Sequence, residues 1–405
     1  MTIDEPATAA PALGLNRCLQ IELVREGDAV VGVDLRAPVP GEGLRATRVD
    51  AATQAPLFEW LLALRERAPA GRLTLAAEAA ARLCSAGVLL PRTRLPRRVR
   101  YACFIDRHAG PMALPPALAA TPRERWMVNP TLRVFSGTGS FAAPGPLAPL
   151  ADAPALAWQR CARTGMAFAY WLGEEDAETL YLLAAQRRRP QQIDEAAAWR
   201  YARAGLLTTA DEWARCGRRL ERRRQLQQAR FGARGWVALR ELLPKPLLAS
   251  LRDYLDALIG DGHLAFDDGQ SRRYHRHSEP LAVWLHQQLQ ASTERVAGQP
   301  IKPSYAFLAG YVGGSDLKPH VDRPQCEYTL SVTLDAQPGC GRDAAWPLGL
   351  DDREGRRRWV RLAPGDGLLL KGRELTHFRD PLPEGRRSTS AFLHFVPIGF
   401  DSHLD

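Results

Sequence analysis

The feature that most constrains the fold is a series of short β-forming segments after Pro303, each bounded by Gly, Pro or Asp. They cover residues 304–312, 327–335, 358–363, 366–371, 375–379 and 388–397. Many short strands at such spacing are typical of a sandwich, a barrel or a jelly roll. Upstream of them, apolar periodicity predicts a strand and an amphipathic helix over 236–260 and a further helix over 280–297. A β-rich domain is therefore predicted from residue 231 onward.

The chain before residue 231 is predicted to be mainly helical. Helices are expected over 56–68 and 76–85, and a second pair begins with a helix over 180–189. Each pair leads to a glycine (Gly87 or Gly205) and a short apolar segment, which is the outline of a winged helix-turn-helix unit. An alanine-rich sequence produces such matches by chance, so the repeat is weak evidence, and a purely structural role of this region is an alternative.

These patterns predict an α+β protein with three segments. Residues 1–107 form an N-terminal α+β region with one possible winged-helix unit. Residues 108–230 contain an irregular Pro/Gly/Ala-rich connection over 108–155, the second such unit and a basic helix over 211–230. Residues 231–405 form the β-rich domain.

Composition excludes several classes of protein. About 45% of the residues are apolar, which is enough for a buried core, but no apolar run reaches the ~18–20 residues that span a bilayer. The seven cysteines are odd in number and form no C-x-x-C pair, which argues against a disulfide framework and favours a reducing compartment. We therefore expect a cytoplasmic protein without membrane segments.

The net charge of +9 leaves an acidic partner open. The arginine-rich helix over 211–230 is the candidate surface for nucleic acid, but no aromatic residues are interleaved in it to stack on bases. A solvated linker helix is the favoured interpretation, and nucleic-acid binding is an alternative function.

The strongest chemical signal is the triplet His320-Val321-Asp322. On an extended strand, residues i and i+2 project to the same face, so this imidazole and this carboxylate can reach one metal ion. His377, at the end of a later predicted strand, would complete a two-histidine, one-carboxylate face that leaves positions open, as in non-haem iron(II) oxygenases. An H-x-D triplet alone is weak evidence, and its surroundings decide.

Those surroundings resemble the 2-oxoglutarate and iron(II)-dependent dioxygenases, nearest to the prolyl 4-hydroxylase-like branch. The matching features, in order, are Tyr311 and Gly314, the H-x-D triplet, the β-formers 328–334, the turn 364–367, His377, and a basic residue ten positions later. The resemblance covers roughly residues 232–405. It implies a double-stranded β-helix, a jelly-roll form, holding Fe(II) through His320, Asp322 and His377.

The resemblance also implies 2-oxoglutarate as co-substrate, with O2, and ascorbate as a candidate further cofactor. The distal carboxylate of 2-oxoglutarate needs a cation, and an arginine binds it with two hydrogen bonds. Arg387 is the first choice with Thr389 beside it, Arg379 is another candidate, and Tyr311 is the expected phenol donor. Arg386 is adjacent to Arg387, and strand alternation would place the two on opposite faces.

Two further features have competing interpretations. His275 and His277 have the spacing of a metal pair, but a polar rim or plain surface is favoured. The segment between Leu334 and Val360, which contains Cys340 and three consecutive arginines, is either a lid or a long hairpin.

The predicted activity is hydroxylation of an unactivated C–H bond with release of succinate and CO2. A peptide or protein side chain is the leading substrate, because the possible winged-helix units resemble domains that bind leader peptides on a sheet edge. The alternative within this chemistry is a small metabolite or free amino acid. The sequence makes no prediction of the oligomeric state.

Overall fold

The computed structural model describes residues 13–16, 19–40, 42–65, 77–95, 104–105, 116–136, 155–171, 174–339 and 341–404. The predictions for residues 66–68, 76, 108–115 and 137–154 and for Cys340 lie outside these ranges. The chain divides into two compact units, Met1–Val99 with Leu255–Phe266, and Arg100–Tyr254 with Asp267–Asp405. Among the described residues no helix has both the length and the apolar character to cross a bilayer.

The first unit contains an antiparallel three-stranded meander followed by two helices. Its elements are β1 (Leu13–Leu15), β2 (Gln20–Glu26), β3 (Ala29–Val39), β4 (Gly43–Asp50), α1 (Ala55–Arg65), α2 (Ala77–Ser85) and β5 (Leu89–Pro91). The meander has the order β2-β3-β4, and the β2–β3 hairpin turns at Gly27, whose φ of 62° suits glycine. Val33, Leu35 and Val49 of the meander pack against Phe58 and Leu61 of α1.

The first unit therefore mixes strands with helices, which fits the α+β region expected over 1–107 but not a mainly helical N-terminal region. The helices predicted over 56–68 and 76–85 are present as α1 and α2, and Gly87, with φ 73°, follows α2 as expected. What periodicity understated was the meander, because β3 is buried along much of its length and lacks the alternation of a half-exposed strand.

The second unit opens with short strands and helices. These are β6 (Phe104–Ile105), α3 (Pro116–Ala119), β7 (Met127–Val128), β8 (Arg133–Ser136), β9 (Ala155–Arg160), β10 (Ala167–Trp171), α4 (Glu174–Ala184), α5 (Glu195–Arg203), β11 (Leu207–Thr208) and α6 (Ala210–Arg234). Within 108–155, expected to be irregular, α3, β7 and β8 are therefore regular. The helix predicted over 180–189 is α4, which begins earlier and ends at Ala184, before Gln186 at φ 58°.

The basic helix α6 is bounded by ordinary capping chemistry. The Thr209 side chain accepts a hydrogen bond from the Glu212 amide, and Gly235 ends the helix with φ 75°. Several of its arginines have protein partners: Arg224 donates to the Ser292 hydroxyl and Arg223 to the Arg240 carbonyl. Nucleic-acid binding by this helix stays an untested prediction.

The remaining elements run from residue 236 to residue 397, and residues 255–266 among them belong to the first unit. They are β12 (Trp236–Leu239), α7 (Lys245–Gly260), β13 (Ala265–Phe266), β14 (Arg273–His277), α8 (Pro280–Ala297), β15 (Ile301–Val312), β16 (Leu317–His320), β17 (Tyr328–Gln337), β18 (Leu348–Asp351), β19 (Arg357–Val360), β20 (Gly367–Lys371), β21 (His377–Arg379) and β22 (Arg387–Pro397). All six strand segments predicted after Pro303 are present, and α8 has the predicted bounds.

Two antiparallel sheets pack against each other and form the β core. The larger one has the order β12-β20-β17-β22-β15-β14 within the second unit, and the smaller one β16-β21-β18-β19. Leu348, Leu350 and Val360 of the small sheet form one apolar cluster with Leu368 and Leu370 of the large sheet. The segment expected to be a lid or a hairpin includes the β18–β19 hairpin, which is a structural part of the small sheet.

Candidate metal centre

His320, Asp322 and His377 meet at one edge of the small sheet. His320 ends β16 and His377 begins β21, and the two residues are direct partners in the β16–β21 pairing. Asp322 Oδ1 lies 3.5 Å from His377 Nε2 and 3.8 Å from His320 Nε2. All three potential ligand atoms lie within 4.8 Å of one another. Atoms as close together as these can serve as ligands of one metal ion.

Both imidazoles are oriented by backbone carbonyls. His320 Nδ1 lies 2.8 Å from the Lys318 carbonyl oxygen, and His377 Nδ1 lies 3.0 Å from that of Leu375. A carbonyl only accepts, so each Nδ1 carries a proton, and in the neutral ring each Nε2 lone pair faces Asp322. This is the usual way in which a protein fixes a metal-binding histidine in the correct tautomer.

The electrostatics of the centre favour a cation. Burial alone raises the pKa of Asp322, but hydrogen bonding and charge from His377, with smaller contributions from His394 and Thr329, outweigh it and lower this pKa to about 2. Burial and the neighbouring His377 lower the pKa of His320. Burial also acts to lower the pKa of His377, but its hydrogen bond to Asp322 reverses the shift and raises it. A metal ion would take the place of the proton that Asp322 and His377 share.

A second group, Asp322 with Cys326 and His394, has the same compactness. The potential ligand atoms of this group make hydrogen bonds within the protein. The Thr329 hydroxyl lies 2.6 Å from Asp322 Oδ2 and 3.0 Å from His394 Nδ1, and Cys326 Sγ lies 3.1 Å from the Tyr305 hydroxyl. The first group, whose Nε2 atoms line an open cavity, is therefore the better metal site.

The cavity has a volume of about 440 Å³ and combines aromatic, apolar and charged walls. Its lining includes the three candidate ligands and also Asp268, Arg273, His277, Tyr305, Phe307, Tyr311, Arg323, Thr329, Ser331, Phe392 and His394. A space of this size lies within the range of small-molecule sites.

Of the cofactor-binding residues predicted from the sequence, the structure places only some at the cavity. Tyr311 lines the cavity, and its hydroxyl lies 2.7 Å from Arg273 Nη1. On β22, Phe392 and His394 line the cavity, so strand alternation places Arg387 and Thr389 on the other face. Neither of these residues is among the lining residues, and nor is Arg379; Arg386 is half-buried and donates to the Ala344 carbonyl.

Arg379 is placed differently. It follows His377 by two residues on β21, so its side chain leaves the strand on the same face. It is buried, its guanidinium stacks on Trp346 at 4.4 Å, and Nη1 donates to the Trp346 carbonyl at 2.9 Å. Burial lowers its pKa to about 10, and its Nε has no hydrogen-bond partner among the described residues.

Two residues of the site were missed by sequence reasoning. Arg273 lies on β14, whose sequence RYHRH has no apolar alternation, and forms an ion pair with Asp268 at the cavity wall. His275 and His277 of the same strand are not part of a metal cluster among the described residues. They stack on Phe307 and Tyr305 at 5.6 and 4.7 Å between ring centroids, in agreement with a polar rim.

Comparison with known proteins finds similarity in structure only. No protein-family model and no curated protein sequence matches the chain. A prolyl-4-hydroxylase of Pseudomonas putida is 17% identical with a TM-score of 0.37, over 44% of this chain and 100% of that chain. A prolyl hydroxylase of Trichoplax adhaerens, solved with a peptide fragment of hypoxia inducible factor, is 15% identical with a TM-score of 0.38, over 44% and 92%. HygX of Streptomyces hygroscopicus, solved with nickel, 2-oxoglutarate and hygromycin B, is 19% identical with a TM-score of 0.34, over 43% and 88%.

Proposed function

We propose that this chain is an Fe(II)- and 2-oxoglutarate-dependent oxygenase with a jelly-roll catalytic domain. The observation that carries the proposal is the triad, in which two Nε2 lone pairs and one carboxylate oxygen converge within 4.8 Å at the wall of a cavity. Three protein ligands of this kind leave positions of an iron ion open for a co-substrate and O2.

The residues fit the proposed metal. The neutral form of each histidine is the tautomer that ligation requires, and the pKa of Asp322 is about 2, so its carboxylate is ionised at neutral pH. Bound iron would supply activation of O2 coupled to decarboxylation of 2-oxoglutarate, with succinate and CO2 as products. The role of His320, Asp322 and His377 is to hold that ion, and the role of the cavity wall is to orient the substrate C–H bond.

For 2-oxoglutarate we assign the distal carboxylate to Arg379 rather than to Arg387. A buried guanidinium without a carboxylate partner is costly, and an incoming carboxylate would relieve that cost. The hydroxyls of Ser331 and Ser390, on inward-facing positions of β17 and β22, are buried without a hydrogen-bond partner in the described structure. The Nε of Arg379 and these two hydroxyls are donors of the kind from which a carboxylate accepts hydrogen bonds.

For the substrate we propose a peptide or protein side chain, with recognition by the first unit. Its β2 strand pairs only with β3 among the described strands, so one edge is open for an added strand. The presence of helices α1 and α2 beside this meander supports the proposal of a winged-helix-like recognition unit. The cavity volume of about 440 Å³ favours the second candidate, a small metabolite or free amino acid.

The test is anaerobic addition of Fe(II) and 2-oxoglutarate to the full-length protein. The proposal expects a visible charge-transfer absorption and, with O2, release of succinate. Both signals should disappear in Asp322→Ala and persist in Asp343→Ala, an aspartate at the short turn before β18 that is not among the cavity-lining residues. Absence of the absorption in the folded wild-type protein would refute the assignment. A mass gain of one oxygen atom on peptides, and not on free amino acids, would decide the substrate class.

A further inference from the structure

The carboxylate of Asp322 is held by a chain of hydrogen bonds from Thr329 and His394, two residues on the cavity face of the large sheet. The Thr329 hydroxyl lies 2.6 Å from Asp322 Oδ2, and the same hydroxyl lies 3.0 Å from His394 Nδ1. Thr329 and His394 are direct cross-strand partners on β17 and β22, and both are almost fully buried. The chain therefore joins two adjacent strands of the large sheet to a residue that follows the small sheet's edge strand β16.

The direction of each hydrogen bond follows from the number of protons. An ionised carboxylate can only accept, so the single hydroxyl proton of Thr329 is donated to Asp322 Oδ2. The Thr329 oxygen must then accept from His394, which fixes the proton of His394 on Nδ1. A neutral imidazole thus sets the direction in which the threonine hydroxyl points.

The two oxygens of Asp322 have different surroundings as a result. Oδ1 faces both histidine Nε2 atoms, at 3.5 and 3.8 Å, whereas Oδ2 is occupied by Thr329. The backbone also contributes, because the Asp322 amide donates to the Gly372 carbonyl at 2.8 Å. A carboxylate held in this way offers one oxygen to a metal ion and cannot swing its second oxygen into the coordination sphere.

We propose that Thr329 and His394 are positioning residues that hold Asp322 as a one-oxygen ligand and keep one more metal position open. Neither residue contacts the metal in this arrangement, and both act through Asp322. The inference presupposes the divalent-metal site of the proposed function. Residues behind a metal ligand typically contribute about 10- to 100-fold to metal affinity.

The experiment measures binding of Co(II) alone to the full-length protein, by calorimetry and by the visible absorption of the bound ion. Thr329→Val removes the hydroxyl at nearly constant volume and should weaken Co(II) binding about 10- to 100-fold. It should also change the absorption, because a released Oδ2 alters the coordination number. Thr329→Ser keeps the hydroxyl and should bind as wild type does.

Variants of His394 test the second half of the chain. Asparagine can place an amide donor close to the position of Nδ1, so His394→Asn should retain most of the Co(II) affinity, whereas His394→Leu should lose it. Thr293→Val is the matched control, because Thr293 is a buried threonine whose hydroxyl donates to the Leu289 carbonyl within α8. It loses one buried hydrogen bond and should keep wild-type Co(II) binding.

The outcomes separate this inference from the proposed function. If wild-type protein binds no divalent metal, both fail. If wild type binds Co(II) and folded Thr329→Val binds it with equal affinity and an unchanged spectrum, the positioning role alone is overturned. Should the valine variant not fold, Thr329→Ala also removes the hydroxyl, and wild-type affinity in that variant would overturn the inference as well.

Discussion

Gly372 is the position where one added carbon should remove metal binding without touching a ligand residue. A Cβ at this position would lie 2.1 Å from Asp322 Oδ2 and 2.8 Å from both the Cys326 carbonyl oxygen and the Thr329 hydroxyl. The φ of Gly372 is not positive, so alanine meets no backbone strain there and the whole effect comes from these contacts.

The size of the effect follows from the overlap. Non-bonded carbon and oxygen atoms need a separation of about 3.2 Å, so Asp322 Oδ2 must move by roughly 1 Å in Gly372→Ala. Metal sites tolerate errors of only about 0.2 Å in ligand distance. We expect Co(II) or Fe(II) affinity to fall at least 10- to 100-fold, and the free energy of unfolding to fall by about 1–3 kcal/mol from overpacking.

The assay is calorimetric titration of the metal-free protein, with a thermal melt to establish folding. Gly399→Ala is the matched control, because a Cβ there meets nothing within 4 Å and the φ of Gly399 is also not positive. It should leave both quantities unchanged. If folded Gly372→Ala binds the metal as tightly as wild type, then Asp322 is not a ligand or its position is not set as described.

Three further predictions concern charge. Arg379→Met should raise the KM for 2-oxoglutarate at least about 10-fold. It should also raise the thermal stability of the ligand-free protein, because a buried unpaired charge is removed. Arg387→Met is the control, and a larger effect on KM in that variant would reverse the assignment. Burial lowers the pKa of His286 to about 3 and its Nε2 donates to the His394 carbonyl. Folding therefore favours the neutral form of His286. Its contribution to stability is complete above pH ~6.5 and falls by up to about 1.4 kcal/mol per pH unit from there toward pH ~3. A plot of unfolding free energy against pH should therefore be shallower over this range for His286→Gln than for wild type. Asp366→Asn should lower the free energy of unfolding measured in a urea melt by about 2–4 kcal/mol. The reason is that this buried carboxylate accepts hydrogen bonds from two backbone amides and from Arg240 and Arg342. An unchanged melt would show that these contacts contribute no net stability.

The sequence predicted the strands of the β core well for identifiable reasons. The strands after Pro303 are short, apolar and separated by Gly, Pro and Asp, so their limits are marked locally. The H-x-D triplet is likewise a local pattern, although Asp322 itself lies just after β16. The approach of His377 depends instead on the pairing of β16 with β21, which is a distant contact.

The choice of arginine illustrates what local patterns leave open. Strand alternation alone says that Arg386 and Arg387 face opposite sides. Which side of β22 faces inward is decided by its register with β17, in which Thr329 pairs with His394 and Ser331 with Phe392. The register shift near Asp335 is not marked in the sequence. Arg273 was missed for a related reason, since a strand of polar residues is recognised only by its pairing with β15.

The triad also implies that metal binding should stabilise the second unit as a whole. His320 and His377 belong to the small sheet, whereas Asp322 is hydrogen-bonded to Thr329 of the large sheet and to Gly372, which directly follows β20 of that sheet. An ion bound to all three therefore links the two sheets and is released when they separate. At a free metal concentration 100 times the Kd, the native state gains about 2.7 kcal/mol, which corresponds to a rise in Tm of about 5–10 °C. The rise should be seen with Co(II) in wild type and be absent in Asp322→Ala, and equal rises in both proteins would mean that the stabilising ion binds elsewhere.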